Sequence, residues 1–248
     1  GKKTSFKLYL ASEQTRNNYL NLEETIKHLL NWAKVTWEEI PVSESERTEL
    51  LDKLKAELDS NSKFPLLEYK GNYYSEKDSI EFYLSRKFRL MGNSDEEEYR
   101  IMFLIKVIEQ IRSQIEKIVE SQDLSNLNNI QSLLQKIENE YVSYSYSSSP
   151  PLANQADSNN SQNNQASQTN KTNNVTQLND SDALYYLGNK ISLADFKIGI
   201  SLNFLLYHPL RKNVLDPMLK SFCPNLRKLL FKLRGEDFSD FYMNNVIF

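Results

Sequence analysis

The stretch Phe64-Pro65-Leu66-Leu67-Glu68-Tyr69-Lys70-Gly71, with Ser79-Ile80-Glu81-Phe82-Tyr83-Leu84 close behind it, constrains the fold more than any other part of the chain. It predicts two short strands, Leu66–Tyr69 and Asn72–Tyr74, folded about Lys70-Gly71, and a helix over 77–86 directly after. Proline is tolerated at the start of a strand, where no ladder bond from its missing N–H is needed. An X-Pro bond can also be cis at modest cost. A cis Phe64-Pro65 bond would turn the backbone N–H and C=O of Phe64 outward, where a peptide-like ligand can pair with them.

Upstream, Phe6–Leu10 alternates like a strand. Asn21 and Glu24 have the spacing of a capping box, and Ile26, Leu29, Leu30 and Ala33 form the apolar stripe of a first helix. Trp37–Val42 reads as a second strand and 45–58 as a charged helix, so the order is βαβαββα. Leu90-Met91-Gly92-Asn93 closes this unit, and the rest is predicted to be helical. Ile101, Leu104, Ile105, Ile108, Ile111, Ile115 and Ile118 recur at threes and fours, and residues 127–142 repeat the pattern. This divides the chain into an α/β domain over 1–90 and an all-α domain over 93–248.

From about 143 to 181 the chain is Ser, Asn, Gln and Thr with almost no large apolar side chain. Such a segment cannot bury enough surface to offset its ordering entropy, and a disordered low-complexity insertion is expected. Glycosylation sequons such as those at Asn170 and Asn174 are of the kind an Asn-rich tract produces by chance. Order is expected to resume at Ala183. Ser192 is placed as an N-cap with Asp195 three residues on, and Ile191 and Phe196 as a hydrophobic staple, ahead of a buried helix over 196–206. A last amphipathic helix, 227–233, follows Pro224-Asn225-Leu226.

Composition excludes several functions. The net charge is −3 with Lys and Arg dispersed, so nucleic acid is not expected as a partner. No run of about 18 apolar residues is present, so no membrane span is expected. One cysteine, Cys223, allows no internal disulfide, and His28 and His208 are too few for a metal site without carboxylate help. A reducing compartment, the cytoplasm, is the simplest setting. The chain opens on Gly1-Lys2-Lys3-Thr4-Ser5, without the apolar stretch of a signal peptide. Gly1 in place of Met suggests an added residue or a truncation, either of which leaves room for a removed natural leader.

Two phrases carry a family resemblance. Phe64-Pro65-Leu66-Leu67-Glu68, Gly71, Glu76-Lys77-Asp78-Ser79-Ile80 and Tyr83-Leu84 resemble the N-terminal motif of the glutathione S-transferases. Gly188, Ser192 and Ala194-Asp195-Phe196 resemble a motif of that family's helical domain, in the right order more than a hundred residues on. The Leu90-Met91-Gly92-Asn93 junction is most similar to the sigma-type branch. The resemblance implies a thioredoxin-like N-terminal domain followed by an all-helical C-terminal domain. It also implies glutathione as co-substrate, a small hydrophobic electrophile as second substrate, a homodimer, and no metal.

It further implies positions for the chemistry, and several are altered here. Glutathione is activated as thiolate, the nucleophilic form, by a nearby hydroxyl donor. The sigma-type tyrosine position holds Leu10, which cannot donate; Tyr9, Ser12 and Tyr19 are the alternatives. Tyr9 is expected on the opposite strand face, Ser12 lies about where serine-type classes place theirs, and Tyr19 heads a Tyr-Leu-Asn echo of the sigma motif. Phe64 before Pro65 would pair with the cysteinyl backbone, and Lys63 would meet the glycyl carboxylate. Glu76 would take the ligand's amino group, while Lys77 replaces the serine that clamps the γ-glutamyl carboxylate at a helix N-terminus. On the first long helix, Met102 and Lys106 stand where the family has an acid. Tyr99, Met102, Phe103 and Phe248 would line the electrophile pocket. These alterations keep open a second reading, a non-catalytic ligand-binding or protein-interaction module on the same fold.

Overall fold

A computed structural model of the chain describes residues 5–11, 24–55, 58, 63–121, 124–148, 185–202 and 216–233. Strand β1 (Phe6–Ala11) alternates as its sequence does: Phe6, Leu8 and Leu10 are buried, while Lys7, Tyr9 and Ala11 take the other face. Helix α1 (Glu24–Trp32) joins it to the parallel strand β2 (Trp37–Val42). Asn21, the expected cap of α1, lies outside the described residues. Helix α2 (Glu44–Lys53) starts one residue earlier than expected, because Ser43 and Glu46 form a capping box that satisfies the first-turn N–H groups. None of its own residues is buried. Leu54, just past its end, is the nearby anchor in the core.

Strand β3 (Leu66–Tyr69) runs antiparallel to β1, and β4 (Asn72–Ser75) antiparallel to β3, giving the sheet order β2-β1-β3-β4. Lys70 and Gly71 both have positive φ, 55° and 79°, between the paired residues Tyr69 and Asn72. A two-residue turn of that hand matches the right-handed twist of the strands it joins, which is why glycine sits there. The Phe64-Pro65 bond is cis, at the mouth of β3. Helix α3 (Lys77–Lys87) follows, with Ile80 and Leu84 buried in one apolar cluster with Leu8, Leu10, Ile26, Leu29 and Leu30. The βαβαββα order is thus present, and it makes a thioredoxin-like unit.

At the junction Leu90 and Met91 are buried and Gly92 has φ +83°. Helix α4 (Asp95–Ser121) then spans 27 residues. Its first turn carries Asp95 and Glu96 to Glu98, charges that the helix dipole favours at an N-terminus. Ile101, Leu104, Ile108, Ile111, Ile115 and Ile118 are buried along one face against α5 (Leu127–Ser148), which supplies Ile130, Leu134 and Ile137. Helix α5 continues six residues past the expected 142, so the start of the Ser- and Asn-rich stretch is helical; residues 149–184 lie outside the described residues.

The late segment differs from expectation in where it begins to wind. A short helix α6 (Leu193–Phe196) starts three residues before the expected 196, and the chain continues as a wider π-helical turn over Lys197–Leu202. The reason is local. The Asp195 carboxylate accepts from Ser192 N–H at 2.8 Å, from Ser192 Oγ at 2.9 Å and from Tyr186 N–H at 2.7 Å, so the chain turns at Ser192 itself. Leu193 N–H also donates to Leu90 C=O at 2.8 Å, tying this turn to the junction. Helices α7 (Asp216–Phe222) and α8 (Pro224–Lys232) close the described chain. The last helix starts at Pro224 rather than 227. Pro224 occupies its first turn, where no N–H is missed, and buried Glu138 of α5 accepts from the N–H groups of Asn225 (3.1 Å) and Leu226 (2.6 Å). One continuous core runs from the sheet through α4, α5 and α8.

Candidate functional site

The N-terminus of α3 lies beside the entry to β3. Glu76 N–H donates to Lys63 C=O at 3.2 Å, which brings residues 63–65 next to 76–77. Glu76 caps α3 with φ 70° and ψ 124° and makes no capping bond through its side chain. A non-glycine residue held in that region costs of order 1 kcal/mol or more, and such positions cluster at ligand clamps. Lys63 and Glu76 are exposed, Phe64 is half-buried and Pro65 is buried. The Arg47 guanidinium of α2 lies 5.7 Å from the centre of the Phe64 ring.

Lys77 does not point freely outward. Its ammonium pairs with Asp78 at 2.7 Å and lies 3.8 Å from both Glu81 and Glu109. Burial alone would lower its pKa, but the acids around it, Glu81 foremost, hold it above the ordinary lysine value. Asp78 is likewise pushed up by burial and pulled further down by the Lys77 ammonium, so it stays ionised below the usual carboxylate range. Glu81 is buried and accepts from Lys197, whose side chain is fully buried, at 2.9 Å. Glu109 is held by Arg112 at 2.6 Å.

Tyr9 is on the sheet face opposite the core, as alternation predicts, and its hydroxyl donates to Glu68 Oε2 at 2.7 Å. Lys7 donates to both oxygens of the same carboxylate at 3.1 Å. Burial first, and then the Glu68 charge and hydrogen bond, push the Tyr9 pKa well above its usual value. This hydroxyl is committed to a carboxylate and is poorly suited to stabilise a second anion. Ser12 and Tyr19 lie outside the described residues. Leu10 is fully buried in the core.

On α4, Met102 and Tyr99 are exposed, 43% and 66%, and Tyr99 stacks on half-buried Phe103 at 6.5 Å between ring centres. Phe248 lies outside the described residues. Lys106 is exposed. Among the described residues two α4 acids reach α3: Glu98 pairs with Arg86, and Glu109, three residues beyond Lys106 and missed by the motif register, lies 3.8 Å from Lys77. Lys197 was also missed, although a lysine inside the apolar run Leu193–Leu202 is a legible anomaly. Nothing local marked Glu81 as its partner. Cys223 is fully buried, and burial, with the Glu138 charge, pushes its thiol up to about 12, so it is no nucleophile at neutral pH. Among the described residues no cluster of His, Cys, Asp and Glu could hold a metal, and no helix is long and apolar enough to cross a membrane.

The chain is similar to a sigma class glutathione S-transferase from Fasciola hepatica, with 18% identity, 99% of each chain covered and a TM-score of 0.59. It is similar to a Pi-class glutathione S-transferase from Onchocerca volvulus at 15% identity, covering 96% of this chain and 92% of that one, with a TM-score of 0.62. A monomeric glutathione S-transferase from Necator americanus matches at 15% identity over 98% of each chain, with a TM-score of 0.60. This is the glutathione transferase fold. No protein-family model and no curated protein matches the sequence. In the transferase fold, the entry to β3 and the start of α3 described above are the same two segments that the sequence motif marks.

Proposed function

We propose that the protein is a glutathione transferase, binding the tripeptide at the β3 entry and the α3 N-terminus and conjugating its thiolate to a small electrophile. The observation that supports this reading is the bond from Glu76 N–H to Lys63 C=O, which sets two segments of the motif side by side. Main-chain groups at Phe64 would pair with the cysteinyl part, Lys63 would meet the glycyl carboxylate, and Glu76 would take the amino group. The N–H groups opening α3 favour an anion, and Lys77 adds a cation where the motif has a hydroxyl. The engagement of Tyr9 with Glu68 favours Ser12 or Tyr19 as the thiol's hydrogen-bond donor. A homodimer is the assembly proposed; sedimentation that finds only monomer would refute it. No metal is required by this chemistry, and a reducing, cytoplasmic setting suits a chain with one buried thiol.

Titration calorimetry with reduced glutathione, with S-hexylglutathione as comparator, tests the binding half. A Kd between micromolar and low millimolar is expected, about −4 to −8 kcal/mol. Absence of heat and of thermal shift at saturating ligand would overturn the reading and favour the non-catalytic module. Conjugation rates test the other half: Ser12→Ala or Tyr19→Phe should lower turnover roughly tenfold or more, over about 1.4 kcal/mol of transition-state stabilisation.

A further inference from the structure

Three acids and three cations meet where α3 faces the helical domain. Their distances sort them into pairs. Glu81 Oε2 accepts from Lys197 at 2.9 Å, Glu109 Oε2 lies 2.6 Å from Arg112, and Asp78 lies 2.7 Å from Lys77. The contacts of Lys77 with Glu81 and Glu109, at 3.8 Å, are beyond hydrogen-bonding range. The pairs also differ in exposure. Lys197 and Glu81 side chains are 0% and 2% exposed, whereas Asp78 is 56% exposed. The other oxygen of Glu81, Oε1, is buried and makes no hydrogen bond. It is the oxygen that faces the Lys77 ammonium.

This geometry leaves Lys77, itself only 14% exposed, with one close partner, and that partner is half in water, so the Asp78 end of the pair is open to exchange. A buried carboxylate with a spare acceptor would bind the ammonium far more firmly, since Coulomb attraction grows as the local dielectric falls. Lys197 stands between these two outcomes. We propose that Lys197 is a positioning residue: by neutralising Glu81 from the helical domain, it keeps the Lys77 ammonium available to exchange Asp78 for the carboxylate of a ligand. The identity of that carboxylate as the γ-glutamyl group rests on the function proposed above; the control of Lys77 by Lys197 does not. Because Lys197 belongs to the turn after α6 and Lys77 to α3, the anion site is completed across the two halves of the fold.

Two readouts separate the proposal from the reading it rests on. The first is the labelling rate of Lys77 by acetic anhydride, followed by peptide mass spectrometry, which needs no ligand. The second is glutathione affinity by calorimetry. Lys197→Met should leave Glu81 to capture Lys77, slowing its labelling about fivefold and weakening glutathione about tenfold. The double variant Glu81→Leu with Lys197→Met buries no lone charge, so it tests the idea even if the single variant does not fold. Its Lys77 labelling should lie within about twofold of the parent, and its glutathione affinity likewise. Unchanged labelling in a folded Lys197→Met protein would overturn the proposal. So would labelling more than about fivefold faster in the double variant, which would mean that Glu81 already commanded Lys77 despite Lys197. If the parent protein binds no glutathione, the functional reading fails, and the labelling rates still decide the role of Lys197.

Discussion

Replacing Asp195 by alanine removes the acceptor that turns the chain into α6. In the native protein the fully buried carboxylate takes three hydrogen bonds, two of them from backbone N–H groups of Tyr186 and Ser192. In Asp195→Ala both N–H groups stay buried without an acceptor, at about 1–3 kcal/mol each. The Ser192 hydroxyl can rotate to other company and adds little. The charge works the other way. Burial outweighs the three hydrogen bonds and raises the Asp195 pKa to about 6 from 3.8. At about 1.4 kcal/mol per pKa unit, ionisation costs roughly 3 kcal/mol in the folded state. The sign follows from proton counts. Between about pH 4 and pH 6 the folded state holds the proton that the unfolded state has lost, so the contribution of Asp195 to stability falls as pH rises through that window and is level above it. The alanine variant should therefore be less stable by about 2–5 kcal/mol near pH 4.5, with a smaller deficit at pH 7.5. Urea unfolding followed by tryptophan fluorescence measures this, because the Trp32 ring lies 6.2 Å from Phe196 and reports on α6. A deficit below about 0.5 kcal/mol at pH 4.5, or one that grows with pH, would refute the reasoning.

Gly92→Ala should be destabilised by on the order of 2 kcal/mol, since a Cβ there would meet Glu97 Cβ at 2.5 Å and alanine disfavours φ +83°; an unchanged melting temperature would refute it. Tyr9→Phe should lose about 1 kcal/mol with its bond to Glu68 and leave glutathione conjugation within about twofold. A tenfold fall in its turnover would instead place Tyr9 in the reaction.

Much of the fold was legible because its signals are short-range. The alternation in β1, the positive-φ turn at Lys70-Gly71, the Ser192 and Asp195 cap and the isoleucine stripe of α4 each depend on residues within a turn or two of one another. One boundary drifted because a distant partner supplied the cap. Helix α8 begins at Pro224 because Glu138, 87 positions before Asn225, accepts from the N–H groups of Asn225 and Leu226. The candidate site was legible to the same extent. The Pro65 phrase and the Glu76-Lys77 start of α3 marked the two segments that the bond from Glu76 N–H to Lys63 C=O brings together, because both are built by local backbone. That Glu109 approaches Lys77 was not legible, because a register of motifs does not say which helix face turns toward α3.

From neighbouring residues alone, then, come the element order, the turns, several of the helix caps and the two segments that the sequence motif marks. Tertiary structure decided the charges. The pairing of Glu81 with Lys197 spans 116 positions, and that of Tyr9 with Glu68 spans 59. Ion pairs and side-chain hydrogen bonds depend on separation in space and on burial, and both are set only when the sheet, α3, α4 and the turn after α6 have packed.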